Sequence, residues 1–373
     1  MNPLQQLQDL GQSVWLDYIR RDLLASGELS RLIEQGLTGV TSNPSIFEKA
    51  IVDSAEYDAE ILDLSKSNDN AKAIYEALAI EDIRAAADAL RPVYDRLDGA
   101  DGFVSFEVSP LLAHDTDGTL AEARRLFKAV GRPNVMIKIP GTPAGVPAIR
   151  QLIGEGININ VTLIFSIEAY GQVMDAYITG LETLASTGGD VSSVGSVASF
   201  FVSRVDTLVD GLLGKAIQEG QDGGKKLLGK AAVANAKLAY QAFQETFGAD
   251  RFSALKANGA RVQRPLWAST STKNPAYSDL LYVEPLVGAD TVNTMPPPTL
   301  DAFLDHGKAE SLLEQNVAEA GQVLAALATE GINMSEVTDK LLADGVKAFA
   351  DSFDHLLANL DGKRRSLLEK TSA

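Results

Sequence analysis

Gly102-Phe103-Val104-Ser105-Phe106-Glu107-Val108-Ser109 and Val135-Met136-Ile137-Lys138-Ile139-Pro140-Gly141, with a helix-like stretch over Leu120–Val130 between them, form the unit that decides the fold. A strand turns alternate side chains to opposite faces. In the first run Ser105, Glu107 and Ser109 oppose Val104, Phe106 and Val108. In the second, Lys138 shares a face with Met136 and Pro140, opposite Val135, Ile137 and Ile139. The apolar faces suit a covering layer of helices. The polar faces must then look into the middle of a sheet that curls around them.

The same unit recurs along the chain. Strand-like runs are read at Ser13–Tyr18, Gly39–Asn43, Gly102–Ser109, Val135–Gly141, Ile157–Ser166, Val194–Ser203, Pro265–Thr272 and Leu286–Thr294. Stretches of helical period, such as Ala71–Leu90, lie between most of them, with Thr119 and Glu122 read as a capping box for the Leu120–Val130 helix. Strand–helix alternation means a parallel sheet, and eight units predict an α/β fold of the (β/α)8 TIM-barrel class. An open doubly wound sheet is the alternative, but no Gly-x-Gly-x-x-Gly turn follows the first strand. Val205–Val262 is long for one crossover and is read as an extended helical insertion, with Gly220–Lys230 as an exposed excursion. From Val337 to the end, Leu341, Leu342, Val346, Phe349, Phe353, Leu356, Leu357 and Leu360 recur at helical spacing. This predicts one further long helix, 337–373, packed across the barrel. No linker composition interrupts the chain, so residues 1–373 are read as a single domain.

Composition narrows the class. At 45% hydrophobic the chain is neither disordered nor fibrous, and a net charge of −17 argues against a nucleic-acid surface. There are no cysteines, which excludes disulfides, thiolate metal sites and cysteine nucleophiles. No secretory pattern is read in Met1–Arg20 and no apolar run approaches a bilayer span, so a cytoplasmic location without membrane contact is expected.

Strand parity places further polar groups on inner faces. Asp17 shares a face with Trp15; Asn158, Asn160 and Thr162 oppose Ile157, Ile159, Val161 and Leu163; Ser199, Phe201 and Ser203 share a face, with Arg204 ending that run. Barrel interiors are usually filled with branched apolar side chains, and an unpaired buried charge costs several kcal/mol. A structural ion pair of Lys138 with Glu107 or Asp17 is the competing reading. Polar groups converging from four or five strands favour catalysis instead. An ammonium moved into an apolar, water-poor pocket loses its proton more readily, and a neutral lysine condenses with a ketone to an imine that acts as an electron sink for carbon–carbon cleavage. Two carboxylates, Glu107 and Asp17, are available to move the protons, while Asn43, Asn160 and Thr162 can donate hydrogen bonds to sugar hydroxyls and hold a water.

These residues lie in a pattern that resembles the transaldolases, of the longer bacterial type. Gly39-Val40-Thr41-Ser42-Asn43-Pro44-Ser45-Ile46-Phe47 is similar to the first family signature, and Val135 through Gly145 to the second, which surrounds a Schiff-base lysine. Ile159–Ser166 and Ser199–Arg204 resemble two further blocks, in the expected order, and the resemblance runs from Asp17 to about Pro298. It implies the (β/α)8 barrel, a place in the pentose phosphate pathway, and reversible transfer of a dihydroxyacetone unit from sedoheptulose 7-phosphate to glyceraldehyde 3-phosphate, with no metal and no organic cofactor. Carried over by motif, Lys138 is the nucleophile, Glu107 acts through a water on the carbinolamine, and Asp17 is the acid/base at the sugar hydroxyl. Asn43 and Asn160 would bind the dihydroxyacetone hydroxyls, Thr162 the catalytic water, and Arg204 the phosphate; Ser199 and Phe201 would line the pocket. The chain departs from the family on the seventh strand. Where many members have Ala-Ser-Phe-Arg, it reads Ala268-Ser269-Thr270-Ser271-Thr272-Lys273-Asn274, which makes Lys273, beside Ser269, the substitute for a second phosphate-binding arginine. A fructose 6-phosphate aldolase-like enzyme and a non-catalytic sugar-phosphate-binding barrel are the alternatives.

Other features are read as structural. Gly224-Lys225-Lys226-Leu227-Leu228-Gly229-Lys230-Ala231 is one residue from a phosphate loop, but lacks the closing Ser/Thr and follows a helical stretch. Asp115-Thr116-Asp117-Gly118 reads as a turn rather than a calcium loop, and His114, His306 and His355 are too dispersed for a metal helix. The apolar stripe of the last helix is read as core or lid, with a homodimer contact left open.

Overall fold

The computed structural model describes residues 2–220 and 222–372. Eight parallel strands close on themselves in sequence order: β1 (Gln12–Leu16), β2 (Leu37–Val40), β3 (Phe103–Glu107), β4 (Val135–Pro140), β5 (Ile159–Ile164), β6 (Ser196–Phe201), β7 (Arg264–Ala268) and β8 (Thr291–Met295). Strand β8 pairs with β1 from Gln12↔Thr291 to Leu16↔Met295, which completes the ring. The expected TIM barrel is the observed fold.

Parity holds where it matters. Glu107 and Lys138 are register partners on neighbouring strands, as are Lys138 and Asn160. Outward-facing Phe106 meets Phe47 of the Pro44–Val52 helix edge-on, at 6.3 Å between ring centres. At the foot of the barrel the interior is polar. Arg264 donates to Ser13 Oγ (2.7 Å) and pairs with Asp101 (3.4 Å), which also accepts from Trp15 Nε1 (2.9 Å). Trp15 fills the barrel axis because β2 offers it Gly39; a Cβ there would stand 2.5 Å from the indole.

Several element ends differ from expectation. Strand β6 stops at Phe201 and Ser203 already opens the Ser203–Gln218 helix, so Arg204 sits on that helix's first turn. Strand β7 ends at Ala268, because Ser269 takes a left-handed backbone (φ 56°). Strand β8 starts at Thr291 rather than Leu286, which belongs to the short 3-10 turn Glu284–Leu286. The helix after β3 starts at Thr116, capped by Asp115 through the Gly118 amide (2.9 Å); the Thr119–Glu122 capping box does not form. Glu122 instead accepts from the Ser109 amide (2.7 Å).

The segment after β6 holds the Ser203–Gln218 and Ala231–Gly248 helices with a 3-10 stretch Asp222–Leu227 between them. Of the expected 220–230 excursion, Gln221 lies outside the described residues, whereas Gly224 and Leu227 are buried. The stretch is a docked turn, not a free loop. The last helix runs Met334–Ser372, three residues earlier in its start than expected; Ala373 lies outside the described residues. It crosses the carboxyl ends of the strands and packs along the Pro44–Val52 helix, where Ser45 and Ser352 share a hydrogen bond (2.9 Å) and Asn359 donates to Glu48 (3.0 Å). Phe353, Leu356 and Leu360 are buried, each worth roughly 1.5–3 kcal/mol of apolar burial. That anchoring fixes the helix over the barrel mouth.

Candidate active site

A cavity of about 190 Å³ opens at the carboxyl ends of the strands, beneath the last helix. Asp17, Asn43, Lys138, Thr162, Ser199, Phe201, Arg204, Ser269 and Lys273 all lie on its wall, brought together from six of the eight strand ends. This end of the architecture is where side chains from many strands converge.

Lys138 stands at its floor, with Glu107 paired to it but off the cavity wall. Their side chains are each 5% exposed, with Nζ 3.3 Å from Glu107 Oε2 and donating to the Ser42 carbonyl at 3.1 Å. Burial pushes the Glu107 carboxyl above the ordinary carboxylate range, against the pull of the Lys138 charge. Burial also raises Asp17, opposed by Lys138, by the Thr41 hydroxyl that donates to it (2.8 Å), and by Arg204 and Lys273. Both carboxyls are thus biased toward holding a proton. Of two buried oxygens here, Thr162 Oγ1 has no hydrogen-bond partner among the described residues, and Glu107 Oε2 has only the Lys138 amine at 3.3 Å, short of a well-formed hydrogen bond. Buried polar atoms are seldom left unpaired, so this pair marks a place for a water or a ligand atom.

Asn160 is placed differently from expectation. Its amide donates to Ser105 Oγ (2.9 Å) and its carbonyl accepts from Ser199 Oγ (2.7 Å), fully buried beneath the cavity rather than on its wall. Ser199 is therefore tied to Asn160 as well as facing the cavity. Asn43 caps the Pro44–Val52 helix through the Ile46 amide (3.0 Å), which leaves only its donor half for a ligand.

Arg204 is the cation of the upper wall. Its guanidinium carbon is 5.2 Å from the Phe201 ring centre and 5.9 Å from that of Phe349, and no carboxylate lies within ion-pair distance among the described residues. Burial pulls its pKa down, opposed by Asp17. Lys273 donates to Ser271 Oγ (2.6 Å) on the exposed rim, so it reaches the cavity without the strand continuing to it.

Phe349 belongs to the apolar stripe that the sequence reads as core or lid, without being singled out from it. It roofs the cavity from the last helix, its ring centre 5.7 Å from the Lys138 amine. Thr41, Ala268, Ser271, Thr294 and Pro296 complete the wall. Among the described residues no three His, Asp or Glu side chains are grouped closely enough to hold a metal ion.

Comparison with known proteins agrees with this geometry. Residues 14–360 match the family model described as transaldolase/fructose-6-phosphate aldolase. A Thiobacillus denitrificans protein named transaldolase is 51% identical over 362 residues, covering 96% of this chain and all of the relative. A Nostoc protein named transaldolase 2 is 48% identical over 376 residues, covering 98% and 99%, and a Mycolicibacterium smegmatis transaldolase 49% identical over 365, covering 97% and 98%. A barrel with a buried lysine–carboxylate pair on its floor, matched along nearly its whole length, belongs to the transaldolase/fructose-6-phosphate aldolase family.

Proposed function

We propose that the chain is a transaldolase that carries a dihydroxyacetone unit on Lys138. The Lys138 amine adds to the ketone carbon of fructose 6-phosphate or sedoheptulose 7-phosphate. Glu107, through a water held with Thr162, donates the proton that lets hydroxide leave the carbinolamine as water. Asp17 takes the proton of the C4 hydroxyl as the C3–C4 bond breaks, and the electrons settle into the imine nitrogen. The aldehyde product departs, a second aldehyde takes its place, and the steps reverse. Asn43 faces the carried unit, with Asn160 positioned below it to orient Ser199. Arg204 and Lys273 bind the phosphate, a fork-shaped guanidinium suiting it well.

The observation that carries this reading is the buried Lys138–Glu107 pair under a guanidinium with no carboxylate within ion-pair distance among the described residues. Transfer is favoured over simple release because the relatives named transaldolase match end to end. The test is borohydride trapping with fructose 6-phosphate followed by peptide mass mapping. A reduced dihydroxyacetone adduct on Lys138 is expected, and turnover with erythrose 4-phosphate as acceptor separates transfer from release. No adduct while the sugar binds overturns the covalent mechanism and leaves a sugar-phosphate-binding barrel.

Three expectations are part of the same proposal. Residues 1–373 act as one domain, since helix and barrel share the site. Charged sugar phosphates do not cross a bilayer unaided, which places the enzyme with its substrates in the cytoplasm. Self-association as a homodimer rests on apolar exposure such as Leu111, 59% exposed beside the mouth; analytical ultracentrifugation decides it.

A further inference from the structure

The Ser203–Gln218 helix turns one face to the loop that follows β7. Ser203, Asp206 and Asp210 are spaced three and four residues apart, so they line one side of the helix. Each holds a different point of the 269–283 loop. Ser203 Oγ meets Ser269 Oγ at 3.0 Å, Tyr282 donates to Asp206 at 3.0 Å, and Tyr277 donates to Asp210 at 2.7 Å. The loop's own neck is closed by Thr272 Oγ1 on the Ser278 carbonyl (2.8 Å). Lys273, the rim cation, sits immediately inside that neck, and Arg204 sits on the first turn of the same helix.

The other oxygens of the two carboxylates hold the segment beyond the helix. Asp206 accepts from the Ala232 amide (2.8 Å), which serves as a cap for the Ala231–Gly248 helix that has none of its own. Asp210 accepts from the Gly229 amide (3.0 Å). Gly229 has φ +70°, and a Cβ there would stand 2.9 Å from the Tyr277 ring. The glycine of the phosphate-loop-like stretch is thus accounted for: it lets Tyr277 lie against the turn and reach Asp210.

We propose that Asp210–Tyr277 and Asp206–Tyr282 are a clasp that positions Lys273 opposite Arg204, and so sets the enzyme's affinity for the terminal phosphate monoester of its sugars. The inference rests on the reading of Arg204 and Lys273 as the phosphate site. These four are positioning residues; none lies on the cavity wall. Their effect is confined to substrates that carry a phosphate.

The test is steady-state kinetics of the full-length Tyr277→Phe enzyme with glyceraldehyde 3-phosphate and with unphosphorylated glyceraldehyde as acceptors. Inorganic phosphate serves as a competitive inhibitor, and Tyr282→Phe and Lys273→Ala run in parallel. Tyr277→Phe removes one hydroxyl and leaves Asp210 bonded to Gly229. The expected result is a KM for glyceraldehyde 3-phosphate and a phosphate inhibition constant raised about fivefold, the scale of one lost hydrogen bond. The kcat and the KM for glyceraldehyde should stay unchanged. Equal effects on both acceptors, or none, in both tyrosine variants while Lys273→Ala discriminates between acceptors would overturn the clasp and leave the phosphate site standing. If Lys273→Ala also fails to discriminate, the assignment of Lys273 fails and the clasp with it.

Discussion

The Lys138 amine is the only group that reaches Glu107 Oε2, at 3.3 Å, among the described residues, and the two are register partners on β3 and β4. Burial raises the Glu107 carboxyl against the pull of that amine, which suits it to hand over a proton. Replacing Glu107 by Gln should therefore leave the fold in place and lower kcat by about 10²–10⁴, the usual range for a lost acid/base group. The check is a rate assay beside the yield of borohydride-trapped adduct; an unchanged kcat would remove Glu107 from the proton path.

Thr162 Oγ1 is buried without a partner among the described residues, so removing it costs no hydrogen bond with them. Thr162→Val should change folding stability by less than about 1 kcal/mol and cut kcat by about tenfold or more. Denaturant midpoints and turnover, measured on one preparation, separate the two effects. A large loss of stability at full activity contradicts a water-holding role.

Phe349 stands between the Lys138 amine and solvent. Phe349→Ala should admit water to the covalent intermediate, so that free dihydroxyacetone is released at the expense of transfer. The stability cost should be near 3 kcal/mol, at the low end for a buried phenylalanine because one side already faces a cavity. Product ratios with and without acceptor read the first effect, thermal melts the second.

Asp206 gives a pH signature. Burial, with Asp210 nearby, pushes its carboxyl up to about 6 from an ordinary 3.8, against the Ala232 amide and the Tyr282 hydroxyl. The folded chain thus binds this proton more tightly than the unfolded one. The stability it contributes is complete below about 3.8 and is lost as pH rises through about 6. A gap of two units corresponds to roughly 3 kcal/mol. Between pH 4.5 and 7.5 the wild type should therefore lose more stability than Asp206→Asn, as urea midpoints will show; equal losses would place the proton elsewhere.

Gly39→Ala puts a methyl 2.5 Å from the Trp15 ring inside the barrel. The indole is held by Asp101 and cannot move aside freely, so about 1–3 kcal/mol of destabilisation is expected in chemical denaturation.

Strand parity made the inner face legible in the sequence, because a period of two survives small errors at strand ends. Lys138, Glu107 and Thr162 were found that way. What a period does not report is where a hydrogen bond goes after the sheet closes. Asn160 faces inward as parity requires, yet its amide is spent on Ser199 of the adjacent β6 and on Ser105 of β3, which lies beyond β4 and is reached across the curved interior. Helix starts failed for a related reason: Thr119 and Glu122 fit the capping pattern, but Asp115 lies one turn earlier and reaches the Gly118 amide first. Phe349 was hidden by its company, since an apolar stripe does not say which member overhangs a cavity. The clasp was hidden because Tyr277 and Asp210 lie 67 residues apart.

The last helix has a temporal consequence. A ribosome finishes all eight strands by Met295, and the barrel can close around Lys138 well before Phe349 and its helix have left the exit tunnel. For that interval the nascent chain carries a complete reactive floor with no ceiling. Closure of the site thus waits on the Met334–Ser372 helix, and until that helix docks nothing governs what the lysine lets go.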